Sequence, residues 1–360
     1  MADIIQQRLS NQYLAQQKLA KPEEVVAWQG AVQAQDYAGA RWALGLRLYG
    51  SDDTAVEQAF NEGKILRTHM MRPTWHFVAP EDIRWLLALT SPRVQALNAY
   101  MYRQLELDEG VLQRGSVAMA EALSGGQQLT RAELGDVLAA VGIVAKGQRL
   151  AYMVMYAELE GVICSGPRRG KQFTYALLEE RVPPAPILAR DEALAELTQR
   201  FFTSHGPAAL PDFVFWSGLT TADARAGLAL AKSALIEETV GEQSYWLAPD
   251  MPMTEMPSPT AHLLPNYDEY LISTRDSSPF LEPAHLPQLK ESERLFPHCV
   301  VIDGRLVGTW RRQFKKNSVI ITLNPFTPLS RAQRRAIDEA AEKYGHYLHM
   351  EAVVEGEGVR

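Results

Sequence analysis

The sequence predicts an α+β fold: three tandem units, each made of helices followed by a β-hairpin, and then a small β-rich C-terminal domain. Three observations lead there. Helical periodicity, opened by capping signals and closed by glycine, recurs ahead of paired short strands in three places. Two proline-rich runs, VPPAP at 182–186 and PDMPMTEMPSPT at 249–260, interrupt the chain as linkers. The last hundred residues change character and read as strands joined by tight turns. With 360 residues, 46% of them hydrophobic, the chain can bury two or three cores.

The middle unit is the clearest. Thr130 is an N-cap with Glu133 three residues on, a capping box, and Leu134, Val137, Leu138 and Val141 form an apolar stripe that stops at Gly142. A second helix is predicted over about 148–160, with Leu150, Met153, Val154, Ala157 and Leu159 inward and Gly161 as its C-cap. VICSG and QFTYALL then make a hairpin around the turn PRRGK. This is the winged-helix order, in which the second helix approaches a DNA groove and the hairpin tip approaches phosphates. The tip carries Arg168, Arg169 and Lys171 with no acid among them, as a phosphate contact or as a solvated turn.

A downstream copy runs from a helix at Leu210 to Trp216, through Ser217-Gly218-Leu219, to a helix opened by Thr220 and Asp223 and ending near Ser233. Its hairpin, LIEETV and SYWLA, is acidic (Glu237, Glu238, Glu242) and unsuited to DNA. At the N-terminus, Pro22 opens a helix expected to reach about Val32, Asp36 caps a second with the stripe Ala40, Leu44, Leu48, and a third runs from Asp53 or Thr54 to Glu62. The hairpin KILRTHMM–Arg72-Pro73–TWHFV follows, and helices link 79–107 to the middle unit. The copies share layout without detectable sequence likeness, so they are read as structural repeats. The predicted domains are 1–107, 108–182, 187–250 and 261–360. In the last, HLLPNYDEYLI and HCVVIDGRLVGTWRRQFKKNSVIITLNPF give strands with turns at Asp303-Gly304 and Lys316-Asn317. A helix from Ser330 to about Tyr344 and a strand in YLHMEAVVE close the chain. Arg305, Arg311, Arg312, Lys315 and Lys316 lie between Gly304 and Asn317 without an acid, as a basic patch or as the exposed face of a sheet.

No apolar run approaches the roughly 20 residues of a membrane span. The start, MADIIQQRLSNQYLAQQ, is polar and helical in pattern and lacks the basic and apolar regions of a signal peptide, so a cytoplasmic location is expected. Cys164 and Cys299 stand alone, without metal-ligand spacing, and read as buried thiols. The net charge of −7 leans against a nucleic-acid partner, but binding depends on local patches.

The chemistry centres on Gln33-Ala34-Gln35, just ahead of the predicted cap Asp36. On a helix, residues two apart diverge; in extended chain they share a side. The amides therefore converge only if this junction is not helical. Together they can orient one water, but neither is a base. That is too little for an ordinary glycosidic bond, which needs a protonated leaving group. It suits an N7- or N3-alkylated purine, which already carries positive charge and leaves neutral. Surface amides remain the alternative on chemistry alone.

At VQAQDYAGARWALGLRL the chain resembles the AlkZ-like DNA glycosylases, part of a tandem winged-helix superfamily that also includes the YcaQ-like enzymes. That family's mark is Gln, an aliphatic or aromatic residue, then Gln; YcaQ-like members have Asp third, so Gln35 places this chain on the AlkZ-like side. LRTHMMRPTWHFVAPEDIRWLLALTSPR, LLPNYDEYLISTRD and VIDGRLVGTWRR extend the likeness along nearly the whole chain. The resemblance implies a monomeric, monofunctional glycosylase without a cofactor. Its partner would be duplex DNA carrying alkylated bases, crosslinks among the family's substrates, with Gln33 and Gln35 as the catalytic pair.

The remaining candidates are open to two readings each. Arg67, His69 and Arg72 in the first hairpin are DNA-contact candidates; His69 and His76 are placed to meet across the turn, where no further ligand is spaced to complete a metal site. Asp36 is a base or, preferably, a helix cap, and Asp268 with Glu269 form a possible acid–base pair. Trp28, Trp42, Trp75 and Trp85 read as core rather than stacking surfaces. Two further readings compete with the glycosylase: a non-enzymatic winged-helix DNA binder or regulator, and a small-molecule-sensing regulator with the C-terminal domain as sensor. No lysine stands beside the glutamines in the sequence, so no lyase step is expected.

Overall fold

A computed structural model describes residues 2–15, 18–185, 187–249, 251–254, 256–276, 279–290 and 297–355. After helix α1 (Ala2–Asn11), one arrangement is built twice. In the first copy, α2 (Pro22–Gln29), β1 (Val32–Gln33), α3 (Tyr37–Gly45) and α4 (Asp53–Asn61) precede the hairpin β2 (Leu66–Met70) and β3 (Thr74–Val78). The long α5 (Ile83–Gln104) leads to the second: α6 (Glu109–Leu123), β4 (Leu129–Thr130), α7 (Arg131–Ala140), α8 (Gly147–Leu159), β5 (Ile163–Ser165) and β6 (Thr174–Leu177). The sheets match strand for strand, β1-β3-β2 and β4-β6-β5. After α9 (Leu178–Arg181), a third copy has α10 (Arg190–Ser204), α11 (Leu210–Ser217), α12 (Thr221–Ala231) and the hairpin β7 (Ile236–Val240)–β8 (Gln243–Leu247). A bridge from Ala208 to Trp246 stands where β1 and β4 stand in the others.

The C-terminal sheet is ordered β13-β12-β11-β10-β9, from β9 (Ala261–Leu264), β10 (His298–Ile302), β11 (Arg305–Phe314), β12 (Ser318–Pro325) and β13 (Glu351–Glu355). Short α13 (Glu269–Ile272) and α14 (Leu286–Lys290) lie between β9 and β10, and α15 (Arg331–Leu348) packs on the sheet. The Asp303-Gly304 turn joins β10 to β11 with both residues at positive φ, as a two-residue hairpin turn demands.

The first copy lies between two cores. Val32, Trp42, Phe60 and Phe77 pack with Leu263, Trp310, Ile321 and Tyr344 of the C-terminal elements. The other flank, Leu66, Met70 and Trp85, packs with Phe201, Phe213 and Trp216 of the third copy. The second copy has its own core around Leu134, Leu138, Met153 and Ile163.

Several sequence expectations change. Gly30 at φ +76 ends α2, so Val32 is strand rather than helix. Val141 is 54% exposed and drops out of its stripe, because α7 is already closing there. Pro92 sits inside α5, which is a single helix. The closing strand starts at Glu351, since α15 continues to Leu348 and His349 turns the chain at φ 55. HLLPNYDEYLI is strand only to Leu264, and Asp268 caps α13. The C-terminal half of α8 is buried at every position from Met153 through Leu159 except the half-buried Tyr156, so its first turn is the part most open to a groove.

One buried ion pair clamps the first copy to the C-terminal elements: the Arg47 guanidinium donates to both Asp268 oxygens, at 2.9 and 2.8 Å. Neither side chain is more than 1% exposed. Removing one partner strands the other charge away from water, so Asp268→Ala is expected to destabilise the fold by about 3–5 kcal/mol in urea unfolding. A loss below about 1 kcal/mol would show that the pair does not hold these elements together.

Candidate functional site

Asp36 caps α3 by accepting from the Gly39 N–H at 3.1 Å, which forces the preceding residues out of the helix. They are extended and join the first hairpin as a third strand, Val32 opposite Phe77 and Gln33 opposite His76. The Ala34 N–H donates to the Trp75 carbonyl at 2.7 Å, which carries the pairing one residue further. Gln33 and Gln35 thus lie on one side of the strand, with Ala34 and Trp75 on the other.

The two amides are held differently. Gln33 is 7% exposed, and its Oε1 accepts from Arg72 at 2.6 Å. A guanidinium only donates, so the atom facing it must be oxygen, and the Gln33 amino group is turned away from Arg72. Gln35 is exposed; its Oε1 accepts a long 3.4 Å contact from the Trp75 N–H. Arg72 also donates to the Phe215 carbonyl at 3.4 Å and lies over the Phe215 ring. Gly218, at φ +70 after α11, permits this approach, because a Cβ there would stand 2.3 Å from the Met71 carbonyl oxygen.

Beneath Gln33 lies Glu269, wholly buried. Its Oε1 accepts from the Gln33 N–H at 2.7 Å and its Oε2 from Trp216 Nε1 at 2.8 Å, while His205 Nε2 is 3.6 Å away. Burial alone would raise the carboxyl; the attraction of His205 and the hydrogen bonds from Gln33 and Trp216 outweigh it and hold it below its ordinary value. Burial lowers the Arg72 guanidinium, with Glu269 pulling the other way. His76 is 1% exposed; burial, helped by the Arg72 charge, pushes it down to about 3.

The other candidates scatter. His69 and His76 face opposite sides of the hairpin, because His69 pairs with Trp75 and His76 with Thr68; they do not meet across the turn. His69 is buried against Glu158 at 2.5 Å. Arg67 Nε donates to the Ala34 carbonyl at 3.0 Å, and its guanidinium lies between the rings of Trp75 and Phe173. The tip of the β5–β6 hairpin is free of acids only in sequence: Arg168 is 3.6 Å from Glu57 and packs on Tyr37 and Phe173, and Arg169 pairs with Glu133 at 2.8 Å. Lys171 is exposed and makes no ion pair among the described residues. Arg312 donates to the Tyr344 hydroxyl at 2.7 Å and is 3.6 Å from Asp36, which brings β11 beside the glutamine strand. Arg311, Lys315 and Lys316 are exposed near that hairpin end. Trp42 and Trp85 are core, whereas Trp28 and Trp75 are half-buried.

Asp268 and Glu269, for which an acid–base role is the less favoured reading of the sequence, are both buried anchors, one on Arg47 and one under Gln33. Glu158 and Phe215 went unremarked, and nothing in their local sequence marks them.

A family model described as DNA glycosylase AlkZ-like matches residues 26–347, which puts this protein in the class of DNA glycosylases, hydrolases acting on N-glycosyl bonds. The chain belongs to the AlkZ-like DNA glycosylase family. An interstrand DNA cross-link repair glycosylase of Streptomyces sahachiroi is 26% identical over 357 residues, covering 93% of this chain and 92% of that protein. The solved structure of Streptomyces sahachiroi DNA glycosylase AlkZ matches with a TM-score of 0.82 at 22% identity over 99% of both chains, a shared α+β fold.

The buried histidines make stability depend on pH. His76 and His262 are both pushed down to about 3, chiefly by burial, from an ordinary 6.5. Between those values the unfolded chain takes up protons that the fold refuses, so stability falls as pH drops below 6.5. Each histidine should contribute a slope approaching about 1.4 kcal/mol per pH unit. Urea unfolding between pH 6.5 and 5 should show a shallower slope for His262→Phe than for the unsubstituted chain; equal slopes would contradict the burial account.

Proposed function

We propose that this glycosylase removes N7-alkylguanine-type lesions from duplex DNA, including those that join the two strands, and leaves an abasic site. The observation that carries the reading is the Gln33–Gln35 pair, on one side of an extended strand, with the Gln33 amide turned by Arg72. In the proposed reaction one water accepts from the Gln33 amino group and donates to Gln35 Oε1. Its oxygen attacks C1′ as the N-glycosidic bond breaks. The bonding electron pair goes to the cationic base, which departs neutral, and the water's proton passes to solvent. Because the leaving group needs no protonation, a pair of amides without a base suffices.

The name of the Streptomyces relative, a cross-link repair glycosylase, supports the crosslink part of the proposal. The helix–helix–hairpin copies are read as winged-helix units over 1–107, 108–182 and 187–250, followed by a β-rich domain over 261–360. A monomer would hold the phosphates mainly through Lys171, Arg311, Lys315 and Lys316. Arg72, Arg168, Arg169 and Arg312, already engaged by protein groups, contribute less free charge.

The test is single-turnover release of N7-methylguanine from a duplex bearing one lesion, with the abasic product revealed by alkali. Gln33→Ala and Gln35→Ala should each slow release by about 10²-fold, in the range for losing one transition-state hydrogen-bonding group, with DNA affinity kept. Release at the unsubstituted rate by both variants would remove the pair from the mechanism, and strand cleavage without alkali would contradict simple hydrolysis.

A further inference from the structure

The reverse face of the glutamine strand carries a second feature. A cleft of about 350 Å³ opens between the first hairpin and the second copy, lined by Arg67, Trp75, Arg131, Lys171, Phe173 and Tyr175 among others, with no carboxylate in its lining. Arg67 is 8% exposed. Its Nε is used by the Ala34 carbonyl, but its two terminal nitrogens make no hydrogen bond or ion pair among the described residues. Those nitrogens are not among the buried polar atoms that lack a partner, so they open toward the cleft rather than into the core. Burial lowers the guanidinium to about 10, with Glu158 pulling the other way, so it stays charged at neutral pH and can take an anion from the cleft side.

Around this cation the cleft offers the two faces of a nucleotide site. Trp75 and Phe173 flank the guanidinium, with ring centres 4.3 and 4.7 Å from it, and Trp75 is only half-buried. At the rim stand Lys171, unpaired, and the start of the ten-residue α7. There the Arg131 and Ala132 N–H groups have no helical acceptor, Glu133 and Thr130 being occupied with each other. A phosphate in the cleft would meet Arg67, Lys171 and these amides; Arg67 and Arg168 already lie over Phe173, so a flat base would meet the part of the half-buried Trp75 ring that Arg67 leaves open.

We infer that this cleft receives one nucleotide of the substrate DNA, its phosphate at Arg67 and the α7 N-terminus and its base against Trp75. The inference rests on the glycosylase reading for the identity of the DNA, not on the glutamine chemistry. It also specifies which nucleotide. An N7-alkylated guanine is cationic and is repelled by Arg67, Arg131 and Lys171, so the occupant is an unmodified nucleotide flanking or opposite the lesion. Trp75 links the two faces, since its N–H contacts Gln35 while its ring lines the cleft.

The experiment uses the full chain and thymidine 5′-monophosphate as the probe, with thymidine and inorganic phosphate as partial probes. Binding is read from the Trp75 indole NMR signal, assigned through Trp75→Phe. The nucleotide should shift that signal, each partial probe should bind at least tenfold more weakly, Lys171→Ala and Arg131→Ala should each weaken the nucleotide several-fold, and undamaged duplex should displace it. A Trp75 signal unmoved at millimolar nucleotide, equal binding by the rim variants, or a nucleotide that stays bound under saturating duplex would each overturn the inference. Base release assayed on the same preparations keeps a failure of this site distinct from a failure of the glutamine mechanism.

Discussion

The arrangement depends on one buried carboxylate. Glu269 sits at the N-terminus of α13, yet its two oxygens reach a strand residue 236 positions earlier and a helix residue 53 positions earlier. It holds the Gln33 N–H, ties the third copy through Trp216, and lies beside His205 at the end of α10. β1 has only two residues, and one of its edges pairs with β3. Without an acceptor on the other edge, the Gln33 N–H would be a buried donor with nothing to satisfy it. The position of the glutamine pair is therefore set by a contact between parts of the chain that share no local sequence.

Charge is arranged around that contact. Arg72 faces the same region from the hairpin turn, fixing the Gln33 amide by its side chain as Glu269 fixes it by its backbone. A cation holds the side-chain amide of Gln33 and an anion its backbone N–H, so the site keeps an oriented hydrogen-bonding group without a titrating base. The neighbouring Asp268 repeats the device with Arg47 and locks the base of the same helix. The net charge of −7 hides this order, since the basic groups that matter are few and local.

What the sequence made legible was local. The caps at Asp36, Thr130 and Thr220 are all present, because a capping side chain needs only its neighbours three residues on. The need for an extended Gln33-Ala34-Gln35 followed from Asp36 in the same way. The partner strand for β1 was not legible, because two residues carry no periodicity, nor was the role of Glu269, whose chemistry looks like that of any acid next to another. The helices α6 and α10 were not singled out, and Pro92 disguised the continuity of α5. The basic tip of the β5–β6 hairpin misled in the opposite sense. Its acids, Glu57 and Glu133, come from other segments and appear only when the chain is folded.

Glu269 sets the glutamine strand through the backbone of Gln33, and Glu269→Gln tests this with little change in volume. The substitution keeps one acceptor but sets an amino group against either the Gln33 N–H or the Trp216 N–H, two donors that need acceptors. The measurement is the single-turnover rate of base release at saturating enzyme beside the affinity for the same damaged duplex. The rate should fall by at least about tenfold with affinity within about twofold, in a protein that still unfolds cooperatively. An unchanged rate in that folded variant would contradict this role of Glu269.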